Sequence, residues 1–109
     1  MRAVQYDERV EEWLNNIPVD IKAKVVRIVD MLVLYGPFNV KEPYVKHVSG
    51  YKKLFEIRAK GKDGIARVFY FTASEERIII LHGFIKKTMK TPKRELCIAV
   101  KRMQEVLNG

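Results

Sequence analysis

Three apolar runs in the middle of this 109-residue chain restrict its fold more than any other feature. They span Leu54–Ala59, Ile65–Phe71 and Ile78–Ile85, and they are rich in the β-branched and aromatic residues that favour strands. The polar segments between them, residues 60–64 and 73–76, are so short that consecutive runs are predicted to pair antiparallel. The sequence therefore predicts a β-meander, with a shorter strand near Tyr44–Val48.

Helical periodicity replaces this pattern in the first forty residues. Asp7 and Glu8 suit a helix N-terminus, and Pro18 starts a second helix that Gly36-Pro37 ends. The apolar positions at helical spacing are Val10, Trp13, Leu14 and Ile17 in the first helix and Ile21, Val25, Ile28, Val29 and Leu32 in the second. These two helices are expected to form a hairpin.

A third helix is predicted after the last strand. Thr91 offers an N-cap and Pro92 a first helical residue, and Leu96, Val100, Met103 and Leu107 form the apolar face. The order of elements predicts one α+β domain over residues 1–109, in which an N-terminal helical hairpin packs on a twisted antiparallel β-meander with a C-terminal helix. The helices are expected to cover one face of the sheet, which leaves the other face or its rim for charged side chains.

Positive charge is concentrated in the second part of the chain. Residues 1–40 carry five Lys or Arg and six Asp or Glu, whereas residues 41–109 carry sixteen and seven, which gives a net charge of −1 against +9. Residues 86–94 alone contain five cations and no acid. Such an asymmetry indicates a polyanionic partner, with nucleic acid the leading candidate; the alternative is a basic surface that maintains solubility.

The composition excludes several classes of protein. Cys97 is the only cysteine and is interpreted as a core residue, so disulfides and a thiolate nucleophile are not expected. With two histidines far apart and no metal-ligand spacing, neither a metal nor another cofactor is predicted. No apolar stretch approaches the roughly 20 residues that cross a bilayer, and no signal peptide is evident, so a cytoplasmic protein is expected.

Two arginines on neighbouring strands are candidates for binding phosphate. Alternation in the first strand places Arg58 on the same face as Glu56, and Arg67 enters the next strand. Across a tight loop the two guanidinium groups could converge on one oxyanion, which Arg binds in bidentate fashion. The alternative is a structural salt bridge with Glu56.

His82 ends the most apolar run and stands close to Lys86 and Lys87. A lone histidine on a strand is more often a hydrogen-bonded core residue than a catalyst, although these lysines favour a role in proton transfer.

Several of these segments together resemble the RelE/ParE toxin superfamily, and more narrowly its HigB-like, phage-derived branch. The resemblance covers roughly residues 5–107 and is carried by residues 54–58, 64–70, 81–88 and 91–95, in that order. It implies a small toxin encoded beside an antitoxin, with the α+β fold already predicted. The usual activity of such toxins is ribosome-dependent cleavage of mRNA, in which the RNA 2′-OH attacks its own phosphate without a metal.

The resemblance also assigns residues. It implies catalytic roles for Arg67, Arg58, Lys86 and Lys87. His82 is added as the candidate for proton transfer. The candidates for RNA contacts are Lys90, Lys93, Arg94, Lys60 and Lys62. Glu56 departs from the pattern, since the best-known RelE members have a lysine there, and no tyrosine occurs between Lys90 and Arg94, so the general base is not identified.

The expected partners are an adjacently encoded helix-turn-helix antitoxin, mRNA on the ribosome and, through the antitoxin, operator DNA, with no membrane. Two alternatives remain open at this point: a ParE-like protein that binds DNA gyrase, and a non-enzymatic nucleic-acid-binding module.

Overall fold

The computed structural model describes residues 2–74, 76–86 and 90–109, which form a five-stranded sheet and three helices. In chain order these elements are β1 (Ala3–Tyr6), α1 (Glu8–Leu14), α2 (Val19–Tyr35), β2 (Val45–His47), β3 (Leu54–Gly61), β4 (Gly64–Ser74), β5 (Arg77–Lys86) and α3 (Lys93–Asn108). The strand order is β1-β5-β4-β3-β2. The predicted α+β arrangement, with its antiparallel meander and flanking helices, is confirmed.

The strand β1 is an addition to the prediction. Ala3–Tyr6 pairs parallel to β5, with Ala3 opposite Arg77 and Tyr6 opposite Ile80. Its side chains alternate between exposed and half-buried, as expected of a short strand at a sheet edge. The first forty residues are therefore not all helical, because the chain forms an edge strand of the sheet before α1 begins.

The helix termini follow local chemistry. The Asp7 carboxylate accepts a hydrogen bond from the Arg9 N–H at 2.9 Å and caps α1, as its position suggested. Pro18 occupies the N-cap position of α2 without a side-chain hydrogen bond, and Gly36 ends the helix with φ of +102°, a left-handed conformation that costs glycine little. Pro92, rather than Thr91, is the N-cap of α3, and the Thr91 hydroxyl has a different partner.

The helices lie on both faces of the sheet, and the expectation that they share one face is wrong. On one face α1 and α2 pack against the inward side chains of the sheet, which include Ile57, Val68, Tyr70 and Ile80. On the other face Ala99 of α3 packs with Phe69, Phe71 and Leu81. Both faces of β4 are thus buried, which explains its continuous apolar run.

Because α3 contacts the sheet through Ala99, the neighbouring Cys97 points away from it. Two residues along a helix correspond to a rotation of about 200°, so the two side chains are on nearly opposite sides. Cys97 is exposed, and its interpretation as a core residue is wrong. Leu107 is also exposed, whereas Leu96, Val100 and Met103 pack against the core as predicted.

No helix in the described ranges is long and apolar enough to cross a membrane.

Candidate nucleic-acid site

Strand register places the two arginines side by side. Arg58 on β3 is directly opposite Arg67 on β4, and paired residues in antiparallel strands project from the same face. On the far side of β4, Lys86 is opposite Ile65 and therefore projects from that face as well. This is also the face on which Ala99 of α3 packs with Phe69, Phe71 and Leu81.

A buried ion pair lies at the centre of this surface. Arg67 Nη1 is 2.9 Å from Glu56 Oε1, and the two side chains are only 3% and 10% exposed. Within the described part of the chain, Arg67 Nε is buried without a hydrogen-bond acceptor. Burial lowers the pKa of Arg67 below its ordinary value, although Glu56 acts in the opposite direction. Both the salt bridge and the convergence of cations that the sequence suggested are therefore present.

Glu56 also connects the sheet to the segment before α3. Its Oε2 accepts a hydrogen bond from the Thr91 hydroxyl at 3.1 Å. Since Thr91 lies two residues before Lys93, the first residue of α3, this bond holds the start of that helix near Arg67.

Lys86 is buried beside the ion pair. Burial is the main cause that lowers the pKa of its ammonium group, and the nearby positive charge of Arg67 lowers it further. A lysine in such a position gives up its proton more readily than one in water.

These groups border an open cleft of about 460 Å³, which is large enough for part of a nucleic-acid strand. We call it the cationic cleft. Its charged and polar lining residues are Lys46, His47, Ser49, Glu56, Arg58, Arg67, Lys86, Lys90, Thr91 and Lys93. Glu56 is the only acid among these lining residues, so the cleft favours an anion.

His82 lies outside this cleft. Its Nε2 is 3.0 Å from Glu95 Oε2, and its Nδ1 is 3.3 Å from Arg102 Nη1. Arg102 also donates to the Leu81 carbonyl oxygen at 2.9 Å. The histidine thus joins β5 to α3, in agreement with its interpretation as a hydrogen-bonded residue at the edge of the core.

The other predicted residues separate into two groups. Lys90 and Lys93 line the cleft, as do Arg58, Arg67 and Lys86, whereas the exposed Arg94 does not. Lys60 lines a second groove. Lys62 is in the turn between β3 and β4, where its backbone N–H donates a hydrogen bond to the Asp20 carboxylate of α2. Lys87 lies outside the described residues.

The sequence alone missed Lys46 and the polar role of Thr91. Lys46 is opposite Glu56 in the β2–β3 register. The sequence predicted this short strand but not which strand it pairs with, so it could not place Lys46 beside Glu56. The sequence predicts only a helix cap for Thr91, because threonine is among the preferred N-cap residues. In residues 2–74, 76–86 and 90–109 no group of His, Cys, Asp and Glu could hold a metal ion.

Comparison with known proteins supports the resemblance. The family model described as "Phage derived protein Gp49-like (DUF891)" matches residues 12–104. No curated protein matches the chain significantly.

Two solved structures share the fold. The free E. coli toxin RelE, with two arginines replaced by alanine, has a TM-score of 0.70 and 14% identity, over 94% of this chain and 97% of that one. The archaeal RelE in its complex with RelB from Pyrococcus horikoshii OT3 has a TM-score of 0.58 and 23% identity, over 79% of this chain and 96% of that one. The chain belongs to the phage-derived Gp49-like family, a RelE-like toxin family, and has the fold of the RelE toxins.

Proposed function

We propose that this chain is the toxin of a toxin–antitoxin system and that it cleaves mRNA on the ribosome in the cytoplasm. The observation that carries the proposal is the convergence of Arg58, Arg67 and Lys86 on one face of the sheet, at the base of an open cleft. Three cations on one face of the sheet can stabilise a phosphate group whose negative charge increases during a reaction.

The proposed reaction is an attack of the RNA 2′-OH on the adjacent phosphorus. The new 2′-O–P bond forms while the P–O5′ bond breaks, which leaves a 2′,3′-cyclic phosphate and a 5′-OH. The nucleophile belongs to the substrate, so the protein has to orient the sugar, stabilise the phosphorane and transfer protons. Arg58 and Arg67 would stabilise the phosphorane.

Glu56 is the best-placed acceptor for the 2′-OH proton. It is the one carboxylate among the residues that line the cleft, and it is hydrogen-bonded to Arg67, so it lies beside the phosphate that Arg67 would hold. Lys86, whose pKa is lowered by burial, would supply a proton to the leaving O5′. His82 has no part in this scheme because it does not line the cleft.

An antitoxin is the proposed protein partner. The solved structure of P. horikoshii RelE, which has a similar fold, is that of its complex with RelB. For this chain we propose an adjacently encoded helix-turn-helix antitoxin, through which the pair would contact operator DNA.

Translation-dependent cleavage is the direct test. After induction of this chain in a bacterium, primer extension on a translated reporter mRNA should show cuts inside the reading frame. The same message without its start codon should remain intact, because the ribosome would supply part of the geometry. Double-strand DNA breaks that require gyrase, with intact mRNA, would support the ParE-like alternative instead.

The growth phenotype tests the toxin assignment separately from the chemistry. Induction of the chain alone should arrest growth, and co-expression of the neighbouring gene should relieve the arrest. Normal growth with soluble, folded protein present would contradict toxicity. Arrest without any cleavage of RNA would leave a toxin that acts only by binding.

A further inference from the structure

A second groove lies at the edge of the sheet, next to the cationic cleft. Pairing of β2 with β3 ends where Val45 is opposite Ile57, so among the described residues no strand pairs with residues 58–61 of β3 on that side. The space beside it, about 400 Å³, is bounded by α2 and by Pro43 and Tyr44. We call it the edge groove.

The edge groove has an unbalanced charge. Four of its lining residues are cations and none is an acid: Lys24, Arg27, Arg58 and Lys60. Ile28 and Met31 of α2 supply its apolar wall. The Lys24 ammonium group donates a hydrogen bond to the Lys60 carbonyl oxygen, which holds α2 against the open edge of β3. A cationic groove with an apolar wall favours an anion that also carries an apolar surface.

Arg58 connects the edge groove to the cationic cleft, since it lines both. Its guanidinium group makes no hydrogen bond or ion pair with the described residues, in contrast to Arg67, which is bound to Glu56. The backbone N–H of Arg58 donates to the Tyr44 carbonyl oxygen at 2.8 Å. Tyr44 therefore stands beside this arginine, and its side chain is left accessible, with 45% of the residue exposed.

We propose that the edge groove binds the nucleotide that adjoins the scissile phosphate in single-stranded RNA, with its base stacked on Tyr44. This proposal rests on the proposed function and extends the substrate site beyond the cationic cleft. Lys24, Arg27 and Lys60 would contact the neighbouring phosphate, and Arg58 would lie between the two phosphates. Cations beside an exposed aromatic ring are the usual means by which proteins hold single strands without reading their sequence.

Binding of strands of different length provides the test. The probes are fluorescent 2′-O-methyl RNA strands of two, four and six nucleotides, which cannot react because the 2′-OH is blocked. Fluorescence anisotropy at several salt concentrations should show that affinity rises with length in the native protein. The Lys24→Ala/Arg27→Ala variant should lose most of this rise, and its salt dependence should weaken by roughly 0.7 per cation in the log–log slope.

A matched control removes the same charge elsewhere. Lys22 is on α2 but lines neither groove, and Lys101 is an exposed residue of α3. The Lys22→Ala/Lys101→Ala variant should keep the rise of affinity with length. If it loses as much affinity as the Lys24→Ala/Arg27→Ala variant, only net charge matters and the edge groove is not a site.

Tyr44 tests the stacking directly. Tyr44→Ala should weaken binding of the six-nucleotide strand by roughly tenfold, whereas Tyr44→Phe should keep native affinity because the ring remains. A 2-aminopurine placed in turn at each position should be quenched at one position only, and that quenching should disappear in Tyr44→Ala.

The outcomes separate this inference from the proposed function. If edge-groove variants bind every strand like the native protein while Arg67→Lys loses cleavage, the inference is wrong and the proposed function stands. If edge-groove variants keep strand affinity but no longer co-purify with the antitoxin, the groove binds protein and the inference is wrong. If Arg67→Lys retains full cleavage, the proposed catalytic site is wrong. The length dependence of RNA binding then shows independently whether the edge groove binds RNA.

Discussion

At the scale of single residues, the ion pair between Arg67 and Glu56 decides how the site can be tested. Both side chains are buried, and the Glu56 carboxylate also holds Thr91. Removing one partner of a buried pair leaves an uncompensated charge, which costs on the order of 3–5 kcal/mol of stability. The sequence left two roles open for Arg67, a contact with phosphate and a structural salt bridge with Glu56. The geometry gives Arg67 a structural role as well.

Arg67→Ala is therefore expected to lower the free energy of unfolding by about 3 kcal/mol or more and to abolish cleavage. Arg67→Lys keeps a positive charge beside Glu56 and should retain most of the stability. It loses the bidentate guanidinium fork, so cleavage should still fall by roughly a hundredfold. Urea denaturation and single-turnover RNA cleavage measure the two effects; native cleavage by a folded Arg67→Lys protein would contradict the role at the phosphate.

Glu56→Gln tests proton transfer by Glu56, and its stability has to be measured in parallel because the substitution leaves the charge of Arg67 uncompensated. The amide oxygen can still accept a hydrogen bond from Arg67 while the NH2 group donates to the Thr91 hydroxyl, but the amide is a far weaker base than a carboxylate. We expect kcat to fall by roughly 10²–10⁴-fold. KM should stay the same or decrease, since a negative charge has left the cleft. Steady-state kinetics on a ribosome-bound message measures both, and an unchanged kcat would remove Glu56 from the mechanism.

At the scale of helices and strands, the N-terminal cap of α1 gives a pH prediction. Hydrogen bonds from Arg9 hold the pKa of Asp7 below its ordinary value of 3.8. A carboxyl group whose pKa is lowered by folding stabilises the protein above its unfolded pKa and loses that effect as the pH falls through the folded pKa. Asp7→Ala should therefore cost about 1 kcal/mol at pH 7 and much less near pH 2.

Urea denaturation at the two pH values measures this difference. Glu8→Ala serves as control, because Glu8 is also in the first turn of α1 but is not its cap. An equal loss of stability in Asp7→Ala at pH 7 and pH 2 would show that the carboxylate charge does not contribute.

The sequence predicted the elements that are specified by local residue patterns. It missed the element that depends on pairing with a strand far along the chain. The meander and the helices follow from periodicity and turn residues within a few positions. The four residues of β1 carry no such signal, since only Val4 and Tyr6 pack against the core and their partner strand is far along the chain. The burial of the second face of the sheet was indicated by the sequence of β4, because a strand whose apolar run does not alternate with polar residues is buried on both faces.

The same distinction applies to the site. The pairing of Arg58 with Arg67 followed from a tight loop between two strands, and it was predictable from sequence. The position of His82 was not, because it depends on where α3 crosses β5 and brings Glu95 and Arg102 to the imidazole.

At the scale of the whole molecule, the proposed function divides the positive charge between cations that contact the scissile phosphate and cations that bind the ribosome. Arg58, Arg67 and Lys86 lie at the base of the cleft, whereas Lys90 and Lys93 lie at its exposed margin. A margin charge contributes to binding mainly by releasing counterions from the nucleic acid, and it does so on any sequence.

Lys93→Ala and Lys90→Ala should therefore weaken ribosome binding and reduce its salt dependence, with little change in the rate of cleavage once the protein is bound. Each substitution is expected to lower the log–log salt slope by roughly 0.7–0.9. Co-sedimentation with ribosomes over a series of salt concentrations measures the slope. Arg94→Ala provides the comparison, since Arg94 is equally exposed but does not line the cleft; identical slopes in all three variants would contradict a defined docking margin.

The parallel strand β1 has a consequence for how the protein reaches its folded state. Ala3 pairs with Arg77, so β1 leaves the ribosome long before its partner β5. It stays unpaired while more than half of the chain is synthesised. Contacts between such distant positions form late because loop closure is costly. Until then one edge of the apolar strand β5 is open to any other strand, which is a recognised route to association between chains. Pairing of this short strand therefore closes the edge of β5, and the interval before it pairs is when that edge is accessible to another chain.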